Sequence, residues 1–337
     1  MTASVIDFHN LPEGVEAFDS PLLTGIFSDV YEEAKKVEGG IVADYIPALR
    51  KADPSKFGMA ITASDGELWK AGDADVPFTI QSVSKPLTLL AALETDPETV
   101  FKRVGVEPSG REFSSLQLNH KGQPFNPLIN AGAIATAGIL HDHWGDDAKP
   151  QVLDVFSTLA GRSLVADGMV YESERQTGHR NLALAHLLHD AGIITNVQGA
   201  YETHTFACSI SVTAVDLSVM ATTLACMGRN PITGEVVADQ TAVRNTLSLI
   251  STCGMYEASG QWLLEVGIPA KSGVSGDLLG IVNRQMGIGM WSPPLDLTGN
   301  SVRAVKACRL LSDELALHHF APTTVGSDVL QVFMSRQ

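Results

Sequence analysis

Basic residues are scarce in this chain: 23 Lys and Arg stand against 38 Asp and Glu in 337 residues, a formal net charge of −15. A protein that grips a phosphate backbone needs a basic surface, so the balance argues against nucleic acid as a partner. It excludes a small anionic ligand less strictly, since a local site can still be basic. Cysteine is sparse as well. Cys208, Cys226, Cys253 and Cys308 are scattered with no pair at metal-ligand spacing, which leaves buried free thiols in a reducing compartment as the expectation. Long apolar runs are missing. The longest stretch without charge or strong polarity, Ala131 to Leu140, is too short to span a bilayer, so no membrane partner is expected. The N-terminus, Met1-Thr-Ala-Ser-Val-Ile-Asp-Phe-His-Asn10, has no basic region followed by an apolar core. No signal peptide is expected there, and the expected location is cytoplasmic. Internal repeats and low-complexity segments are absent too.

What remains is globular: 45% of residues are hydrophobic and 18% charged, and the length allows one large or two modest domains. Residues 1–18 read as an N-terminal extension and 319–337 as a C-terminal tail. Pro21 to Val37 has apolar residues at Leu23, Ile26, Val30 and Ala34 with acids between, the pattern of a surface helix. Phe57 to Ala63 and Glu67 to Ala71 read as strands joined at Ser64-Asp65-Gly66, a hairpin signal. From about Asp96 to Met227 the pattern is mainly helical, with core helices expected over 131–141, 152–159, 181–190 and 215–226. A further helix follows Thr246. Strand signals return at 270–274, 277–282 and 285–291, and Val302 to Leu315 reads as a closing helix. Strands at both ends and helices between predict an α+β domain over 19–318. One antiparallel sheet lobe is built from about 19–95 and 246–318, with a central all-helical lobe over about 96–245. A site between the lobes is expected.

The stretch that would form it is Phe78-Thr-Ile-Gln-Ser-Val-Ser-Lys85, followed by Pro86. Residues three apart share a helix face, so the Ser82 hydroxyl and the Lys85 amine can meet. Proline is tolerated in a first helical turn, which puts the helix start near Gln81–Ser82. A positive helix end there favours a developing oxyanion, and a lysine with a lowered pKa can act as the base that a serine nucleophile needs. Asp96-Pro97 would end this helix. By itself a Ser-x-x-Lys pair equally describes a helix start with a snorkelling lysine.

Later blocks change the weight of that pair. Serine enzymes of the penicillin-recognising group carry a Lys-Thr-Gly on a strand after their Ser-x-x-Lys, and Lys271-Ser-Gly273 stands at such a place. Gly72-Asp-Ala-Asp-Val-Pro-Phe78, Phe125-Asn-Pro-Leu-Ile-Asn-Ala-Gly-Ala133, Ser173-Glu-Arg175, Arg180-Asn181 and Cys208-Ser-Ile210 add to it. So do Cys253-Gly-Met-Tyr256, Gly267-Ile-Pro-Ala-Lys-Ser-Gly-Val274, Ser292-Pro-Pro-Leu-Asp296 and Gly299-Asn-Ser-Val302. In this order, over roughly residues 20 to 315, the chain resembles the serine-dependent glutaminases of the β-lactamase-like fold. The resemblance implies hydrolysis of the side-chain amide of L-glutamine to L-glutamate and ammonia, with no metal or organic cofactor. It also implies a homodimer or homotetramer. It assigns Ser82 as nucleophile, Lys85 as base and Tyr256 as proton relay. By the same matching Ser82, Asn130, Glu174, Asn181, Tyr256 and Val274 contact substrate, with Lys271 a further candidate.

The chemistry of glutamine fits those residue types. Its α-ammonium calls for a carboxylate, which Glu174 can supply. Its carboxylate and amide call for neutral donors, which Asn130 and Asn181 can supply. The oxyanion calls for backbone N–H groups, those of Ser82 and Val274. Each residue also has an ordinary role open to it: Asn130 and Asn181 as helix caps, Glu174 as a solvated acid, Tyr256 as a core ring. The chain departs from the family where His204 stands in place of a tyrosine. Either His204 faces the substrate, giving a pH dependence between about pH 5.5 and 7.5, or Tyr201 moves in. Smaller departures are Asp277, where the family tends to have glycine, and Asn283, where it tends to have proline. Two other readings stay open: an amidase of the same fold acting on another small amide, and a catalytically silent amino-acid-binding protein.

Overall fold

The computed structural model describes residues 20–44 and 46–321. The expected extension over 1–18 lies outside them, as does the expected tail beyond 321.

The strands are β1 (Gly58–Ala63), β2 (Leu68–Gly72), β3 (Phe78–Thr79), β4 (Val165–Ala166), β5 (Ile210–Val212), β6 (Ala270–Ser272), β7 (Asp277–Val282) and β8 (Met286–Trp291). The helices are α1 (Ser20–Lys35), α2 (Ser84–Thr95), α3 (Pro97–Arg103), α4 (Asn130–Trp144), α5 (Ala148–Ala160) and α6 (Gly168–Thr177). They continue with α7 (His179–Asp190), α8 (Val197–Cys208), α9 (Ala214–Ala225), α10 (Gln240–Cys253), α11 (Ser259–Glu265) and α12 (Val302–Leu315).

The main sheet has the order β2-β1-β8-β7-β6, antiparallel throughout, so the two ends of the chain meet at the β1–β8 pair. Alternation along each strand decides what each face packs against. Met59 and Ile61 of β1, Leu278 and Val282 of β7, and Ile288 and Met290 of β8 share one face with buried residues of α1 and α12. The amphipathic pattern of both helices is explained by that single contact: Phe27, Val30 and Ala34 of α1 and Ala304, Ala307 and Leu311 of α12 are buried in it. The opposite face carries Ala60, Thr62, Gly287 and Gly289, and α9 lies directly on it. A Cβ on Gly289 would sit 2.0 Å from the Ala214 carbonyl oxygen, and one on Gly287 would sit 2.3 Å from that of Ser218. The missing side chains therefore set the distance between helix and sheet. Thr62 and Ser218 close the contact with a hydroxyl–hydroxyl bond of 2.6 Å.

α9 and α2 run through the middle of the molecule, and every residue from Ser84 to Leu93 of α2 is buried. A helix apolar all round belongs in the interior, which is why the Ser82 end of α2 can be held so firmly. The helical lobe differs from expectation in one respect: it is not all-helical. β4 and β5 pair antiparallel, and β5 pairs with β3, the two residues that lead into Ser82. The Ile80 N–H continues that ladder by donating to the Ile210 carbonyl at 2.9 Å. Strands of two or three residues are too short to show a period of two.

Candidate active site

The chain enters α2 through a tight 3-10 turn, Gln81–Val83. Gln81 has φ of +44°, a conformation that costs a residue with a Cβ about 1–3 kcal/mol and persists only where the surroundings enforce it. It turns Ser82 onto a cavity of about 370 Å³ between the sheet and the helical lobe, at the lower end of the size range of ligand sites. Asn130, Glu174, Asn181, His204 and Val274 line the same cavity, together with Gln81, Phe113, Ser114, Arg180 and Cys208. All the expected substrate-contacting residues except Tyr256 are thus on the cavity wall. Tyr256 lies behind Ser82. A shallower depression lined by Arg111, Glu112, Ser115 and Arg180 shares Arg180 with it.

Behind Ser82 the polar groups form a chain. The Ser82 hydroxyl lies near enough to that of Tyr256 to pull the phenol's pKa down. The Tyr256 hydroxyl donates to the Ser272 carbonyl at 3.0 Å, so its oxygen is left to accept from Ser82. Tyr256 also has a left-handed backbone, φ +55°. Burial raises its phenol above the ordinary range, with Ser82 acting against it. Lys85 is 1% exposed. Its Nζ donates to Asn130 Oδ1 at 2.6 Å, and Asn130 Nδ2 donates in turn to Asn181 Oδ1 at 2.9 Å. Burial brings Lys85 down to about 8, while Cys208 and Glu174 act the other way. Lys271 is fully buried on β6, donates to the same Ser272 carbonyl at 2.6 Å, and sits 3.7 Å over the centroid of the Tyr256 ring.

On the far wall Glu174 is 5% exposed, and its Oε2 has no hydrogen-bond partner. Burial pushes this carboxyl up to about 7, with the Gln81 side chain and the Lys85 charge acting against it. It is no solvated surface acid. His204 is buried beside it on α8, with Nε2 3.9 Å from Cys208 Sγ. Burial, then the Lys85 charge, push the imidazole down to about 3. Both influences favour the neutral imidazole, which runs against the expected titration of His204 between about pH 5.5 and 7.5. Tyr201 does not move in. Its hydroxyl donates to the carbonyls of Glu174 and Arg175, at 3.2 and 3.0 Å, and so holds the end of α6 from behind.

Residues that sequence reasoning did not assign a role are Gln81, Phe113 and Cys208. Phe113 reaches in from the loop between α3 and α4 to pack on Tyr256 at 4.8 Å between centroids. No periodicity marks that loop. Gln81 could have been found from its place beside Ser82. Among the described residues no group of three or more His, Cys, Asp or Glu side chains is placed to hold a metal ion.

A buried Ser-x-x-Lys at the start of a central helix, with a Lys-Ser-Gly strand packed beside the turn that carries the serine, defines an enzyme of the β-lactamase-like fold class. Comparison with known proteins narrows this. The family model described as Glutaminase matches residues 40–320. A glutaminase of Trichormus variabilis is 44% identical over 309 residues, 91% of this chain and 92% of that protein. A glutaminase of Corynebacterium glutamicum is 43% identical, over 90% of this chain and 74% of its own length. Among solved structures, a probable glutaminase YbaS superposes with a TM-score of 0.85 at 36% identity, covering 90% of this chain and 99% of that one. The chain belongs to the glutaminase family.

Proposed function

We propose that the protein hydrolyses the side-chain amide of L-glutamine through an acyl-enzyme on Ser82. The observation that carries the reading is the unpartnered, buried Oε2 of Glu174 on the same cavity as Ser82. A buried carboxylate oxygen left without a donor is costly, and an α-ammonium would satisfy it. Asn130, Asn181 and the His204 imidazole supply neutral donors for the rest of the amino acid. Glutaminases are also what the related proteins are called, and one solved relative, Mglu, has been described in its glutamate form.

In this reading Ser82 Oγ attacks the amide carbon, and its proton passes through the Tyr256 oxygen toward Lys85. The new oxyanion is met by the backbone N–H groups of Ser82 and Val274. Collapse breaks the C–N bond, the proton goes to the leaving nitrogen, and ammonia departs. Water then attacks the Ser82 ester by the reverse proton path and releases glutamate. Lys85 suits the role of base because burial has brought it to about 8. The reading extends to a cytoplasmic homodimer or homotetramer; light scattering tests the assembly. Among the described residues no helix is long and apolar enough to cross a membrane.

The test is ammonia release from L-glutamine by the purified protein, with Ser82→Ala as control. His204 gives the second reading, an amidase for another small amide, its specific ground. Rates with glutamine, asparagine and simple amides compared side by side separate the two, and substrate binding without turnover would point to a silent amino-acid-binding protein.

A further inference from the structure

Tyr201 is buried on α8, and the proposed reaction gives it no task. Its ring belongs to an apolar cluster with Ile134, Leu184, Leu188 and Ala200. Its hydroxyl shares one proton between the carbonyls of Glu174 and Arg175, at 3.2 and 3.0 Å. These are two of the last four carbonyls of α6, the groups that a helix leaves without an intrahelical donor. The Gly178 N–H reaches the Glu174 carbonyl too, at 2.8 Å, and Gly178 is the single residue between α6 and α7. A Cβ on Gly178 would collide with the Tyr201 hydroxyl, so the glycine leaves the room through which that hydroxyl meets the helix end. The phenol therefore stands at the corner between two helices. Glu174 lies on one side of the corner and Asn181 on the other, and both line the cavity together with Gly178.

The packing of α6 explains why this corner needs a tie. The helix buries only Val170 and Glu174, so little apolar surface fixes it to the lobe. Its first half is held by the Asp167 N–H, which donates to the Ser209 carbonyl, and by Tyr171 packed edge-on against Phe206. The second half carries Glu174, whose buried Oε2 has no hydrogen-bond partner. A desolvated oxygen without a donor favours any movement that returns it to water. Tyr201 opposes that movement at the backbone of Glu174 itself. It does so from α8, the helix that brings His204 to the cavity one turn further along.

We propose that Tyr201 is a positioning residue for the substrate's α-ammonium: by holding the Glu174 and Arg175 carbonyls it keeps the Glu174 carboxylate on the cavity wall, at a set distance from Asn181, and so sharpens selection for an α-amino acid. The phenol itself faces the helix end and acts through Glu174. The inference rests on the glutaminase reading for the identity of the ligand, but the tie between Tyr201 and α6 does not.

The test uses Tyr201→Phe, which leaves the ring in its cluster and removes the hydroxyl alone. KM for L-glutamine should rise about tenfold, the worth of one hydrogen bond, while kcat changes by less than about twofold. Glutaramate, which is glutamine without the α-ammonium, should inhibit parent and variant equally. In the Glu174→Gln background, Tyr201→Phe should leave KM unchanged. Calorimetry of L-glutamine binding to Ser82→Ala, with and without Tyr201→Phe, should show the same tenfold loss in the absence of turnover. A parent that releases ammonia, with KM and affinity unmoved in Tyr201→Phe, overturns the proposal and leaves the glutaminase reading intact. So does a lowered unfolding midpoint without a change in KM, an equal weakening of glutaramate, or an equal effect in the Glu174→Gln background. A protein that binds L-glutamine without releasing ammonia, and binds it more weakly in Tyr201→Phe, overturns the glutaminase reading and supports the tie. One that binds no L-glutamine overturns both. If Tyr201→Phe does not fold, Gly178→Ala, whose Cβ displaces the hydroxyl, takes its place with the same expected and refuting results.

Discussion

Replacing Glu174 by glutamine should make the substrate-free protein more stable at alkaline pH while weakening its hold on substrate. The carboxyl ordinarily ionises near 4.5, and burial pushes it up to about 7 in the folded protein. Below pH 4.5 it is protonated in both folded and unfolded chains, and the charge costs nothing. As pH rises through the window between 4.5 and about 7, the unfolded chain ionises while the folded one keeps its proton, so folding stability falls. Above about 7 the loss is complete. At about 1.4 kcal/mol per pH unit it amounts to roughly 3 kcal/mol. Glu174→Gln removes that cost and keeps the shape. Part of the gain is returned, because Lys85 loses a neighbouring anion that supports its own charge. A net stabilisation of roughly 2 kcal/mol at pH 8, vanishing by pH 4.5, is expected, which corresponds to a rise in Tm of roughly 4–8 °C. Thermal or urea unfolding of both proteins from pH 4.5 to 9 measures it. In parallel, loss of one charge-assisted bond should weaken glutamine binding by about 1.5–3 kcal/mol. A variant no more stable than the parent at pH 8, or one whose KM is unmoved, would refute the assignment of Glu174 as a buried, ligand-awaiting carboxylate.

Ser82→Ala should abolish ammonia release and leave the unfolding midpoint within the reach of a helix cap, about 1 kcal/mol; residual turnover near the parent rate removes Ser82 from its role. Tyr256→Phe should lower kcat by about 10²–10⁴ with little change in KM, the range for loss of a proton-transferring group; stopped-flow ammonia assays decide it. The acid limb of kcat/KM should lie near pH 7, where Glu174 takes up its proton, and activity should rise further toward pH 8 as Lys85 loses its own. His204→Gln should leave the shape of that profile unchanged, since the imidazole is neutral throughout, and alter KM alone; a displaced limb would show that His204 titrates after all. Gly289→Ala should destabilise by about 1–3 kcal/mol through overpacking of α9 on the sheet, read from unfolding midpoints.

Much of the architecture was legible because the strands at both ends of the chain are short, largely apolar runs bounded by Gly, Asn and Pro. β7 and α12 fall on the expected residues, and β8 starts one residue late. Elements with few buried positions were harder. α6 buries only Val170 and Glu174, and one of these is charged, so it presents no apolar stripe. α10 begins at Gln240, before the expected start at Thr246, because its first turn is polar. The signal was Asp239, whose side chain accepts from the Thr241 and Ala242 N–H groups as a cap.

The site was legible in a different way. No periodicity links positions 82, 130, 174, 181, 204, 256 and 274; the order of unusual blocks did. What blocks cannot convey is which atom of each residue is committed to the fold. From sequence Asn130 reads as either a helix cap or a substrate ligand, and the structure gives it a third task, since it begins α4 and accepts from Lys85. From sequence Tyr201 reads as a stand-in for the family's tyrosine, but its hydroxyl is committed to the carbonyls of Glu174 and Arg175. The Ser272 carbonyl, invisible in any list of side chains, gathers Tyr256 and Lys271 at one point. The backbone strain at Gln81 and Tyr256 follows the same logic. An ordinary turn at either place would direct the Ser82 or Tyr256 side chain elsewhere. The rigid α2 core and the β3–β5 ladder are what hold these strained turns in place. The site therefore stores backbone strain and two desolvated charges, Glu174 and Lys85, against the stability of the lobes around it. Its readiness for substrate and its cost to the fold have the same physical origin.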